Sequence, residues 1–266
     1  MTFSLPDGLP AGRCVPPNSP VMWRSDGPPH DPLEVWAQAQ LRQGETGLLP
    51  VLCYPDDDQP ELSALAAVAA VDLEAELEAG WHADRQRRRG WKENPPLPEQ
   101  VPDDNEPFVE EWEDDPGPPF DRWPGLAPGM FSGSGADPEQ AARTALAHLV
   151  DERPYAPAGA SLALVAAERS ADIPALLGWT RGASLPFLCA LLRSWEDRFG
   201  ARVVAAIGAT LYVSVACPPR NQEQADHIAV EHLLTTADNI VDDPPTPFPD
   251  YAASLIDAPL WCFWWD

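Results

Sequence analysis

Residues 184–216 read SLPFLCALLRSWEDRFGARVVAAIGATLYVSVA, and this stretch decides the fold. Leu185, Leu188, Leu192, Trp195 and Phe199 recur at steps of three and four, which sets them in one apolar stripe along a helix. Ser184 stands where that helix opens, and Gly200 supplies its C-terminal stop. ARVVAAIGA and TLYVSVA then read as two strands joined by a tight connection at Gly208 or Ala209, hence an antiparallel hairpin. The expected fold class is α+β, a mostly antiparallel or mixed sheet flanked by helices, with a Pro-rich acidic irregular segment.

Working outward, Asn221 with Gln224 forms an N-capping pattern for the helix QEQADHIAVEHLLTTA, and PDYAASLID is a short helix. In LWCFWWD, strand alternation turns Trp261, Phe263 and Trp265 one way and Leu260, Cys262 and Trp264 the other. Both faces are apolar, so an interior strand covered on both sides is expected, its tryptophans mainly core. Upstream, SLALVAAE is a strand and SADIPALLGW a short helix, and Asp137 caps a helix that begins at Pro138. The N-terminal region reads β-β-α-β: RCVPP, VMWRS, a helix with Asp31 as N-cap, Pro32 at N1 and Gly44 past its end, then the buried strand LLPVLCY. Residues 61–92 are Ala/Leu/Glu-rich and helical, with a break expected at Gly80. Three units follow: an N-terminal α/β lobe over 1–92, an acidic Pro-rich arm or linker over 93–136, and a C-terminal α+β unit over 137–266.

At 266 residues, 44% of them hydrophobic, the chain is large enough to bury a substantial core. Its formal net charge of −25 repels phosphate backbones and anionic headgroups. Membrane and direct nucleic-acid binding are therefore not expected, whereas a basic protein partner is. The start MTFSLPDGLPAGRC lacks the basic and apolar regions of a signal peptide, and no apolar run approaches a membrane span. The five cysteines are an odd set without CxxC spacing and read as reduced, mostly buried thiols, so the expected compartment is the cytoplasm.

LRSWEDRFGARVV, together with LALVAAERSADIPALLGW, TLYVSVACPP, EH…DNI, YAASLIDAPLWCFWWD and the upstream WPGLAP, resembles the bacterial family known as domain of unknown function 4253. The resemblance is strongest over about 162–266 and is looser in the opening LPAGR…VMW…GLLPVL. Before DNI the family reads more like FCP, where this chain has Thr236 and Ala237, and after it an aromatic is usual, where this chain has Val241. The resemblance implies unit boundaries and supplies no mechanism.

Several stretches invite chemistry. In SWEDRFG, Arg193 and Asp197 are four apart and read as a helix-face pair. Glu196 and Arg198 lie off the apolar stripe. In DHIAVEH, His227 and His232 are five apart and turned by about 140° on a helix, so they do not share a metal; Glu223, His227 and Glu231 form a row expected to be an exposed charged stripe. GSGADPEQ reads as a capped helix start rather than a phosphate loop, because Asp137 and Glu139 occupy the place of an anion. DRQRRRGWK is the basic cluster, expected to pair with the acidic arm that follows it. No cofactor, metal set or catalytic residue is indicated.

Three functional readings remain, one of them a structural subunit without ligand. The leading one is a non-catalytic acidic module that recognises a basic protein partner in an inhibitory, sequestering or immunity-like role. Its candidate contacts are Phe108, Glu110, Glu111, Trp112, Glu113, Asp114 and Asp115, with Phe120 also able to pin the arm to the body. The alternative is an enzyme or small-molecule binder with a Trp/carboxylate pocket near the C-terminus. That pocket would use Trp195, Glu196, Asp197, Arg198, Asp238, Asn239, Trp264 and Asp266.

Overall fold

The computed structural model of the chain describes residues 4–54, 59–93, 115–133, 135–152, 157–181, 183–236, 240 and 246–265. Its strands are β1 (Gly12–Val15), β2 (Met22–Ser25), β3 (Leu49–Cys53), β4 (Ser161–Val165), β5 (Arg202–Ile207), β6 (Thr210–Ser214) and β7 (Leu260–Trp264). They form one seven-stranded sheet in the order β1-β2-β4-β3-β5-β6-β7. Neighbours run antiparallel except β3 and β5, which are parallel through Leu52 with Ala205 and Cys53 with Ala206. The protein is α+β with a mixed sheet. β3 lies between β4 and β5, so strands from 1–92 and from 137–266 share that sheet.

The helices are α1 (Pro32–Leu41), α2 (Gln43–Thr46), α3 (Leu62–Ala67), α4 (Leu73–Glu93), α5 (Pro138–Glu152), α6 (Ile173–Leu177), α7 (Leu185–Phe199), α8 (Gln222–Thr235) and α9 (Phe248–Ser254). Their apolar stripes cover both faces of the sheet. On one face Trp36 of α1 and Leu146 and Leu149 of α5 pack with Leu52, Leu162, Leu164 and Tyr212. On the other, Trp81 of α4, Leu188, Trp195 and Phe199 of α7, Ile228 and Leu233 of α8 and Phe248 of α9 pack with Val51, Val165, Val213, Trp261 and Phe263. All five residues of the predicted α7 stripe are buried. Opposite Val213 and Tyr212, β5 carries the extra residue Val204, a bulge that turns Val204 and Ala205 to the same face.

Local caps place most helix starts as expected. Asp31 accepts the Glu34 N–H at 3.0 Å, Asn221 the Gln224 N–H at 3.0 Å, and Asp137 the Glu139 N–H at 2.9 Å. The hairpin turn falls at Gly208, whose φ is +59°.

Three expectations are corrected. Gly44 lies inside α2, which ends at Gly47, because α1 stops at Leu41 and the chain turns once more. The helical run over 61–92 breaks before Leu73 rather than at Gly80, because Asp72 caps a new helix by accepting the Ala75 N–H at 3.2 Å. β7 is an edge strand with β6 as its neighbour in the sheet. The predicted alternation holds there, with Trp261, Phe263 and Trp265 buried, but Leu260, Cys262 and Trp264 are only half-buried. None of the five cysteines is in a disulfide; Cys53 and Cys189 are buried and the others half-buried.

Candidate functional site

The second half of helix α8 is enclosed on almost every side, with Ile228, Ala229, Val230 and Leu233 all buried, and this carries Glu231 fully out of solvent. The row Glu223–His227–Glu231 is therefore not an exposed stripe. Glu223 is exposed, His227 stacks on Phe120 with ring centroids 4.7 Å apart, and Glu231 faces α7. There Arg198, one turn beyond Trp195, meets it in a two-armed ion pair, Nη1 to Oε1 and Nη2 to Oε2, both 2.7 Å. Trp195 Nε1 donates to Oε2 at 2.8 Å, and the Ala127 N–H donates to Oε1 at 2.7 Å. The guanidinium also donates from Nη1 to the Ala127 carbonyl at 2.8 Å and from Nε to Ser194 Oγ at 2.9 Å. A carboxylate so buried is tolerable only when its oxygens are this completely satisfied.

His232 sits beside it, fully buried. Its ring is enclosed by Trp195, Trp261, Phe263 and Tyr251 at centroid distances of 5.1, 4.7, 4.8 and 6.0 Å. Nδ1 lies 3.0 Å from Tyr251 Oη. Burial, and secondarily the positive charge of Arg198, pushes its pKa down to about 3, so the imidazole is neutral at neutral pH. Among the described residues no group of three or more His, Cys, Asp or Glu is placed to hold a metal ion.

The Ala127 contacts belong to an irregular strap, residues 115–131, that lies across α4, α8 and α7. Asp115 accepts from Arg88 Nη1 at 3.1 Å, from the Gly117 N–H at 2.9 Å and from the Phe248 N–H at 3.0 Å. Phe120 lies on His227, and Trp123 approaches Trp81 of α4 at 6.4 Å. The N–H groups of Met130 and Phe131 both donate to the Arg198 carbonyl at 2.8 Å.

Among the described residues of the pocket predicted near the C-terminus, Trp195, Glu196, Asp197 and Trp264 are not brought together. Trp195 is core, stacked on Phe263 at 5.1 Å, whereas Trp264 projects from the opposite face of the sheet. Glu196 turns away from Glu231, accepts the Ala171 N–H at 3.2 Å, and lies 3.7 Å from Arg169 and 3.5 Å from Arg202. Burial raises its pKa, an effect opposed first by Arg202. The expected Arg193–Asp197 pair gives way to partners across elements. Arg193 grips Asp172 at 2.8 and 2.9 Å, and Asp197 pairs with Arg169. Arg198 is the residue of the predicted set that joins Trp195, through Glu231. Asp238, Asn239 and Asp266 lie outside the described residues, as do Phe108, Glu110, Glu111, Trp112, Glu113 and Asp114. Asp115 is described, and it is turned inward as a clamp rather than presented to a partner.

Among the described residues the basic cluster pairs mainly within its own helix, and of its arginines Arg88 also reaches the acidic arm, at Asp115. Arg87 and Arg88 reach the buried Asp84 at 2.6 and 2.9 Å, and Arg85 stacks 5.3 Å from the Trp81 ring centre. Glu231 was missed as a site residue although IAVEHLL carried a signal, since a carboxylate inside a run apolar on every helical side is a buried one.

Residues 161–266, from β4 through β7, match the family model described as Domain of unknown function (DUF4253), the family the sequence resembles. The match takes in Arg198, Glu231 and His232 but neither β1–β3 nor the strap. Comparison with curated proteins and with solved structures gives no match.

Proposed function

We propose that the protein is a non-catalytic acidic module that binds a basic protein partner in an inhibitory, sequestering or immunity-like role. The observation that carries this reading is charge. The chain has 42 Asp and Glu against 17 Lys and Arg, and many of its arginines are drawn into pairs with its own carboxylates. Arg88 with Asp84, Arg193 with Asp172, Arg198 with Glu231 and Arg202 with Glu139 are such pairs. The surplus carboxylates are left to solvent and partners, and they are densest over 93–121, which contains no Lys or Arg. Such a field steers basic proteins and repels nucleic acid and anionic headgroups. No helix among the described residues is long and apolar enough to cross a membrane.

The test captures partners on the tagged protein from host lysate, then measures reconstituted binding of the recovered protein against salt. The comparison chain has Glu106, Glu110, Glu111, Glu113 and Asp114 changed to their amides and Asp115 left as the clamp it is. The expected result is a one-to-one complex with a basic protein, weakened at least tenfold both by 0.5 M salt and by the amide substitutions, on the order of magnitude of several screened charge contacts. Binding indifferent to both would overturn the reading. Among the described residues the alternative of a Trp/carboxylate pocket finds no support, since Trp195 and Trp264 lie on opposite faces of the sheet.

A further inference from the structure

We propose that the surface made by α4, α7 and α8 is a docking site for an irregular, proline-containing peptide, and that residues 116–131 are the chain's own copy of that ligand, held in cis and displaceable. This inference rests on hydrogen bonds and ring contacts rather than on surface charge, so it stands apart from the recognition of a basic partner.

The receiving side holds its polar pair in place without the strap, although the strap completes the pair's hydrogen bonds and covers the core beside it. Trp195 Nε1 and both terminal nitrogens of Arg198 already fix the Glu231 carboxylate, and Ser194 Oγ fixes the guanidinium through Nε. What the pair offers beyond its own bonds is one acceptor and one donor side by side. Ala127 fills both, its N–H on Glu231 Oε1 and its carbonyl on Arg198 Nη1. The Arg198 carbonyl then takes two further strap amides, those of Met130 and Phe131. A preformed polar reader that engages a peptide by its backbone is how extended ligands are bound elsewhere, with side-chain sites alongside supplying selectivity.

The strap has the chemistry of such a ligand. It forms neither helix nor strand over its described length, and Pro116, Pro118, Pro119, Pro124 and Pro128 disfavour both and remove competing donors, while Gly117 and Gly125 with positive φ let it turn along the surface. Its side chains are used at intervals. Phe120 lies on His227, Trp123 lies near Trp81, and Ala127 is 2% exposed, so only a small residue fits there. The partner this defines is a protein segment of the pattern Phe-x-x-Trp-Pro-x-x-Ala-Pro, read at positions 120, 123 and 127.

The test is a titration of a fluorescent synthetic peptide covering 116–131 into the full chain and into its Ala127→Pro variant. That substitution removes the N–H given to Glu231 and overfills the slot, so it loosens the strap while sparing the reader. The expected result is one-to-one binding by the variant at least tenfold tighter than by the unaltered chain, and no binding of a peptide that itself carries Ala127→Pro. A folded variant that ignores the peptide overturns the proposal. Native-state hydrogen exchange on the unaltered chain decides the matter if the variant does not fold. The amides of Ala127, Met130 and Phe131 should then exchange at least a hundredfold faster than those of β5. Exchange of these amides only at the rate of global unfolding overturns the proposal.

Discussion

Glu231 is the residue on which the helical side of the molecule depends most sharply. Its charge is buried and is compensated by Arg198 at two 2.7 Å contacts, so loss of either partner strands the other. Glu231→Gln is expected to lower the unfolding free energy by about 3–5 kcal/mol in urea denaturation. The pair Glu231→Leu with Arg198→Met should cost less than either single change, since no charge is then left buried. A double change as costly as the sum of the two would show that the two charges are not coupled, and would overturn the compensation. His232 sets a pH dependence whose sign is fixed by burial. Its folded pKa of about 3 lies below the ordinary 6.5, so the unfolded chain takes up the proton first as pH falls. The contribution of the neutral ring is complete above about pH 6.5 and is lost progressively toward pH 3, at no more than ~1.4 kcal/mol per pH unit. Urea midpoints across that window should fall less steeply for His232→Phe than for the unaltered chain; equal slopes would refute the assignment.

At the scale of elements, two glycines with positive φ separate conformational strain from steric conflict. At Gly178, which ends α6 with φ +73°, an added Cβ would meet the Gln59 carbonyl oxygen at 2.2 Å. At Gly208, with φ +59°, it would meet nothing within 4 Å. Gly208→Ala is therefore expected to cost about 1 kcal/mol, the penalty of the left-handed region alone. Gly178→Ala should cost roughly 2–4 kcal/mol, since backbone must also move; equal losses in thermal unfolding would remove the close approach as a cause. These elements also show what the residues disclose unaided. The starts of α1, α5 and α8 were legible because Asp31, Asp137 and Asn221 act within their own first turn, and the α7 stripe because helical periodicity is local. The edge position of β7 was not, since it depends on which strand lies beside it. The buried state of Glu231 and the exchange of Arg193 and Asp197 for Asp172 and Arg169 likewise depend on partners brought from other elements. The inward turn of Asp115 is of the same kind, set by Arg88 and the Phe248 amide.

For the molecule as a whole, the decisive arrangement is the seat of β3. The matched segment 161–266 supplies β4 and β5, which do not touch each other, because Leu49–Cys53 runs between them. The mixed sheet was legible from alternating strands and a tight hairpin, but no local rule announces that an early strand will divide two late ones. Residues 161–266 produced alone are thus expected to lack a cooperative thermal transition, and co-production with residues 1–160 should restore one. A sharp transition from the segment by itself would show that β3 is dispensable. The same seat imposes an order on synthesis. The apolar run Leu49–Cys53 leaves the ribosome well before Ser161–Val165, and earlier still than Ala205 and Ala206, so it must wait for both its neighbours. The Lys- and Arg-free stretch 93–121 emerges behind it, and the like charge it gives every nascent chain opposes association of exposed strands.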